Sequence, residues 1–190
     1  KTVPTLSDVG IASNNSTDTL AIVNDVTTVT FTAIEAIGTK VVTFSSAGVA
    51  INASRVSYVN TAGNTWPASY TAVGRYTDGA VTYSIVVGDL AGNPGVAVTT
   101  GTGSVTFDDT DPARTSVTVA SNNSLVTHAK SGNAVTVELT TDVAVSQPVV
   151  VFKSGGATLN NASGRVITYT NTNSPNKTEW SAAYTVDAAD

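Results

Sequence analysis

The chain has 190 residues, with 9 Lys+Arg against 14 Asp+Glu, a net charge of −5 and only 12% charged residues. That length admits one large domain or two small ones, and so few cations cannot neutralise a row of phosphates, which argues against nucleic acid as a partner. Cys is absent and His128 is the single histidine, which excludes disulfide frameworks, cysteine zinc sites and thiol catalysis.

From the N-terminus, short segments rich in Val, Ile, Thr and Tyr are predicted as strands at Thr5–Ala12, Val26–Ala33, Lys40–Ser45, Arg55–Asn60, Thr65–Val73, Ala80–Gly88 and Ser104–Asp108. Most alternate with a period of two, as in Val29, Phe31 and Ala33 against Thr28, Thr30 and Thr32; this buries one face of a sheet and wets the other. Turn signals separate them at Ser13–Asp18, Ala62-Gly63-Asn64, Thr77-Asp78-Gly79 and Ala91–Gly95. No apolar stripe of helical period stands out, and no run approaches the ~18 apolar residues of a membrane-spanning helix. Seven or so short strands in about 100 residues predict an all-β, immunoglobulin-like sandwich, with an antiparallel barrel as the competitor.

The junction Asp108-Asp109-Thr110-Asp111-Pro112 is short and stiffened by proline. Beyond it the sequence repeats. Shifting the chain by 108 positions aligns Thr2–Gly48 with Thr110–Gly156 without a gap, and 19 of those 47 positions are identical. Ser13-Asn14-Asn15-Ser16 returns as Ser121-Asn122-Asn123-Ser124, and Trp66 and Tyr70 return as Trp180 and Tyr184. Two tandem domains are expected, at 1–108 and 109–190. The counterpart of Gly74–Phe107 is missing from the second, so about two strands are expected to come from following sequence or from another chain. The missing initiator Met fits a mature piece or a window from a longer protein.

Phe31-Thr32-Ala33-Ile34-Glu35, Asp89-Leu90-Ala91-Gly92-Asn93 and Asp109-Thr110-Asp111-Pro112 carry a resemblance to the tandem bacterial Ig-like repeats of surface adhesins and extracellular fibre proteins. It covers the first copy and the front two-thirds of the second. The resemblance implies a stalk, spacer or fibre subunit at the cell surface or outside the cell. The second copy departs from it, with Val143 where Glu35 would align.

Asn14, Asn15, Asn52, Asn122, Asn161 and Asn176 satisfy the Asn-x-Ser/Thr pattern of a glycan acceptor. Ser-Asn-Asn is also good turn chemistry. Yet 51 Ser and Thr in so weakly charged a chain suit a surface made soluble by covalent sugar. Glu35, Asp89, Asn93, Asp108, Asp109 and Asp111 are candidate calcium ligands, which the resemblance would bring near a domain end; calcium takes six to eight oxygens. The competing reading is solvated turns. Trp66 and Trp180, each followed four residues on by a tyrosine, read first as sandwich core and second as a sugar-stacking platform. His128 takes the place of Leu20, and no nucleophile elbow, phosphate loop or paired catalytic carboxylates are present.

The expectation is a non-enzymatic structural subunit of a glycosylated extracellular fibre or filament, needing no cofactor and associating with copies of itself. The alternatives are an adhesin stalk and a carbohydrate-binding module.

Overall fold

A computed structural model describes residues 3–59, 61, 63–159, 166–188 and 190. The chain divides into two compact units, Lys1–Thr110 and Asp111–Asp190.

Unit 1 is a two-sheet β-sandwich. One sheet has the order β1 (Leu6–Ser13), β3 (Val26–Ala33), β7 (Thr65–Thr71), β6 (Ser57–Tyr58). The other has the order β2 (Leu20–Ala21), β9 (Val105–Phe107), β8 (Gly79–Asp89), β4 (Ile37–Ser46), β5 (Val49–Ala50). The pairs are antiparallel except β2 with β9. Strands crossing from one sheet to the other give the immunoglobulin-like arrangement. Val29 and Phe31 of β3 face inward, as the alternation predicted, and Val42 and Phe44 from β4, Ala68 and Tyr70 from β7, and Val81, Ile85 and Val87 from β8 share one core with them and with Val105 and Phe107. Thr30, Thr43, Thr82 and Thr106 fill outward positions between them.

Seven strands were expected in this unit and nine are described. The two additional ones, β2 and β5, are two residues long, too short to show any periodicity. Arg55 closes a short 3₁₀ turn, Ala53–Arg55, instead of opening a strand. It is the one helical element among the described residues, so none of their helices is long enough to cross a membrane.

Unit 2 repeats the first sheet as β10 (Arg114–Ser121), β11 (Ala134–Thr141), β15 (Glu179–Thr185) and β14 (Thr168–Asn171), in the order β10-β11-β15-β14. The second sheet is represented by the hairpin β12 (Phe152–Ser154) and β13 (Ala157–Leu159). Its pairing of Ser154 with Ala157 lies 108 residues on from that of Ser46 with Val49 in β4 and β5. Residues 145–151, the counterpart of the front of β4, belong to no strand.

Candidate functional site

The most exact recurrence between the units is the turn after their first strands. The Asn14 N–H donates to the Val26 carbonyl at 3.0 Å, and Asn14 Oδ1 accepts the Val26 N–H at 2.7 Å. Asn122 makes the same two bonds with Ala134, at 3.0 and 2.9 Å. Asn15 turns inward. Its Oδ1 accepts the Thr17 N–H at 3.0 Å, and its Nδ2 donates to Asp25 Oδ2 at 2.7 Å. Asn123 does likewise with Leu125 and Asn133. The Ser13 and Ser121 hydroxyls each accept the N–H two residues on, at 3.1 Å. The short side chains replace backbone partners that the reversal removes from the sheet.

This geometry separates two neighbouring acceptor motifs. Asn14 and Asn122 are exposed, and their Nδ2 atoms, where a glycan would be linked, donate no hydrogen bond among the described residues. Asn15 is half-buried and its Nδ2 is committed to Asp25. Asn15→Ala removes three side-chain bonds and is expected to cost unit 1 about 1–3 kcal/mol. Asn14→Ala removes one and is expected to cost about 1 kcal/mol. Urea denaturation of the two variants checks the order. Asn52 caps the 3₁₀ turn through Oδ1, which accepts the Ser54 N–H at 2.9 Å, and Asn176 lies exposed before β15. Asn161 lies outside the described residues.

Three of the six candidate calcium ligands have their side-chain bonds within turns. Both Asp89 carboxylate oxygens accept from Asn93, Oδ1 from its N–H at 2.7 Å and Oδ2 from its Nδ2 at 2.6 Å. Asp108 Oδ1 accepts the Thr110 N–H at 3.1 Å. Among the described residues no three Asp, Glu or His side chains gather as a metal site.

The residue that organises the end of unit 1 is Asp78, which sequence reasoning placed only in a turn. Its Oδ1 accepts the Asp109 N–H at 3.0 Å and its Oδ2 accepts the Thr110 hydroxyl at 2.5 Å. The Thr110 hydroxyl first, and the Asp109 N–H second, hold its carboxyl below the ordinary aspartate range. A depressed pKa means the charged form is favoured in the fold. The contribution is therefore complete at neutral pH and is lost as pH falls through the ordinary range to the lowered value. Asp78→Asn is expected to remove that acid-side slope at residues 108–110. Amide hydrogen exchange of Asp109 and Thr110 against pH is the measurement.

Tyr70 and Tyr184 are core residues, as their spacing from the tryptophans predicted. Trp66 packs at the core's edge, and the Lys40 ammonium lies 3.8 Å from the centre of its ring. A stacked sugar would have to displace that cation. Trp180 is half-buried, its Nε1 donating to the Lys177 carbonyl at 3.1 Å. His128 is exposed and its Nδ1 pairs with the neighbouring Thr127 hydroxyl at 3.0 Å.

A pair of tyrosine latches was missed. Tyr58 Oη accepts the Val42 N–H at 2.8 Å and donates to the Val42 carbonyl at 3.4 Å. Tyr169 does the same at Val150, at 3.0 and 3.3 Å. Carrying the repeat alignment past Gly48, where small insertions accumulate, would have paired these residues.

No protein-family model matches the sequence, and no curated protein matches it. Among solved structures the chain is similar to an I-band fragment of titin, with 11% identity and a TM-score of 0.49 over 97% of this chain and 56% of that one. It is also similar to the titin z1z2 domains in complex with telethonin, with 14% identity and a TM-score of 0.34 over 97% of this chain and 82% of that one. This chain thus spans a little over half the length of the I-band fragment. The topology and the internal repeat together make it a tandem of immunoglobulin-like β-sandwich units.

Proposed function

We propose that this chain is a non-catalytic structural module of an extracellular fibre or filament, in which copies of one β-sandwich are strung end to end and joined to further copies of the chain. The observation that carries the reading is the asparagine turn built twice, bond for bond, 108 residues apart. Repetition of one unit is how a chain gains length without new chemistry. The side chains that could carry reactions are instead spent on turns: Asp78 on residues 109 and 110, Asp89 on Asn93, Asn15 on Asp25. Exposed apolar residues such as Leu90 and Val96, with few charges to keep copies apart, favour contact between molecules. Covalent sugar at Asn14 and Asn122 would sit on an exposed turn of each unit and limit that contact to the remaining faces.

Electron microscopy of native, untagged material tests the proposal. Regular filaments whose axial repeat matches one or two sandwiches are expected. Isolated two-bead particles or loose strings at all concentrations would overturn it and favour an adhesin stalk. Intact mass of the same material reads the sugar; in the N14Q/N122Q double variant the added mass is expected to fall, whereas N15Q leaves the glycan count unchanged.

A further inference from the structure

We infer that unit 1 carries a saccharide-binding trough on the outer face of its β1-β3 pair, and that its occupant is the first sugars of a glycan linked to Asn14. The inference rests on the reading of Asn14 as a glycan acceptor and adds to it the surface that holds the sugar.

The trough follows from which side chains the sheet leaves small. β1 and β3 pair antiparallel, with Ala12 opposite Thr28 and Gly10 opposite Thr30. Ile11, Val29 and Phe31 belong to the core, so these four residues face outward. Gly10 and Ala12 give β1 almost no side chain on that face, while Thr28 and Thr30 rise beside it. Any larger residue at position 10 would place its Cβ 2.8 Å from the Thr102 hydroxyl oxygen, so the floor is low by necessity. Along the free side of β1 stand Asp18, whose carbonyl accepts the Ser13 N–H at 2.8 Å, and Thr102, whose carbonyl accepts the Ile11 N–H at 2.9 Å. A cavity of about 410 Å³ lies between these two banks.

The lining selects a chemical class. Thr28, Thr30 and Thr102 supply hydroxyls, Asp8 and Asp18 supply carboxylates, and no Lys, Arg or aromatic ring lines the cavity. Hydroxyls both donate and accept, whereas ionised carboxylates only accept. A neutral ligand rich in hydroxyls answers both, and its O–H groups make charge-assisted bonds to the two aspartates. A phosphate or an acidic ligand would instead meet like charge on both banks. The C–H faces of sugar rings match the small apolar floor of Gly10 and Ala12.

The position of Asn14 names the occupant. Asn14 continues the outward register of Gly10 and Ala12, opposite Val26, and lies about 7 Å beyond Ala12 along the strand. Its Oδ1 is fixed by the Val26 N–H, and its Nδ2 donates no hydrogen bond among the described residues. A glycan linked there is tethered at the mouth of the trough. Tethering raises its effective concentration, so weak hydroxyl contacts suffice without an aromatic platform. Unit 2 supplies the contrast. Asn122 makes the same turn, but Thr118 and Glu138, opposite one another, stand where Gly10 and Thr30 do, and Val126 stands where Asp18 does. The floor is raised there, and an apolar side chain replaces one acceptor, so a glycan on Asn122 has no equivalent seat.

The test uses the intact chain and its variants made in the native host. Ser16→Ala deletes the acceptor pattern at Asn14 while keeping the Asn14 side chain, and leaves the pattern at Asn15 in place through Thr17; Ser124→Ala deletes the pattern at Asn122. Each variant loses the same exposed serine bond, to Asn15 or to Asn123. Ser16→Ala is expected to remove the sugar mass from Asn14 and to shift the amide NMR signals of Gly10, Ala12, Thr28 and Thr30. Ser124→Ala is expected to leave the signals of Thr118, Ala120, Thr136 and Glu138 in place. Ser16→Thr, which restores the pattern, is expected to restore the unit 1 spectrum. Mild periodate oxidation, followed by glycopeptide mass, reads exposure of the sugar diols; oxidation at Asn14 is expected to be at least about tenfold slower than at Asn122. Thr30→Glu, the residue unit 2 has, is expected to abolish that difference. A native chain with no sugar mass on Asn14 would overturn the acceptor reading and the inference together. Sugar on Asn14 with equal oxidation at both sites, with Ser16→Ala shifts confined to residues 13–17, or with oxidation unchanged by Thr30→Glu would overturn the inference and leave the acceptor reading standing.

Discussion

Phe44→Ala is expected to destabilise unit 1 by about 3–5 kcal/mol, the range for truncating a large aromatic in a sealed core. Phe44 is 1% exposed and its ring centre lies 4.9 Å from that of Tyr70, tilted by 59°. Deleting it removes the burial of the ring and this aromatic contact, which alone is worth about 0.5–1.5 kcal/mol. It also leaves a void between two sheets that are hydrogen-bonded on both sides and cannot close over it. A domain of this size has about 5–15 kcal/mol in total, so a large fraction of the unit is expected to unfold under mild denaturant. The repeat supplies its own control. Phe152 is 8% exposed and packs in a smaller cluster, with its ring centre 5.6 Å from that of Tyr184. Phe152→Ala is expected to cost about 2–3 kcal/mol, less because that site is already partly wet. Each unit holds one tryptophan, Trp66 or Trp180. Urea denaturation in Trp180→Phe and Trp66→Phe backgrounds therefore reports the units separately. Equal losses for the two alanine variants would show that the unit 2 core is as sealed as that of unit 1.

Gly103→Ala is expected to cost unit 1 about 2–4 kcal/mol. Gly103 has φ +77°, and a Cβ built there would collide with the carbonyl oxygen of Ile11. The left-handed backbone alone accounts for about 1–2 kcal/mol. The rest comes from the segment that Gly103 keeps against β1, where the Ile11 N–H donates to the Thr102 carbonyl and the Thr102 N–H to the Val9 carbonyl, both at 2.9 Å. Weakening these bonds exposes the edge of β1, which Thr102 otherwise covers. Gly48 separates the two causes. Its φ is +81°, but an added Cβ there would meet nothing within 4 Å. Gly48→Ala is thus expected to cost only about 1–2 kcal/mol. Chemical denaturation measures both, and similar losses would place the whole penalty in the backbone angle.

The paired asparagines show where sequence reasoning stops. Asn14 and Asn15 are adjacent, chemically identical, and both match the glycan pattern. What separates them is a tertiary contact: Asp25, ten residues away, meets the Nδ2 of one and not of the other. Trp66 and Tyr70 were legible as a pair sharing a strand face, because a period of two is a local property. That Tyr70 would be sealed and Trp66 capped by Lys40 depended on which strand lay opposite. The acidic residues around the junction were legible as turn formers. Their separation into an Asp89–Asn93 turn and an Asp78 clamp was not, since Asp78 reaches across 31 residues to bond Asp109.

The sequence by itself determined that this protein is all-β in class, that it is one unit written twice, and, where a strand alternates as β3 does, which of its residues face inward. These follow from local alternation, turn-forming residues and a gapless internal match, all of which are carried by neighbours in the chain. Only the tertiary structure decided which asparagine amides are spent, that Thr102 closes the edge of a strand 93 residues away, and that the tyrosine latches hold Val42 and Val150 alike. Each of these is a pairing between distant segments, whose partners are chosen by packing and register across two sheets, and no short-range pattern encodes that choice.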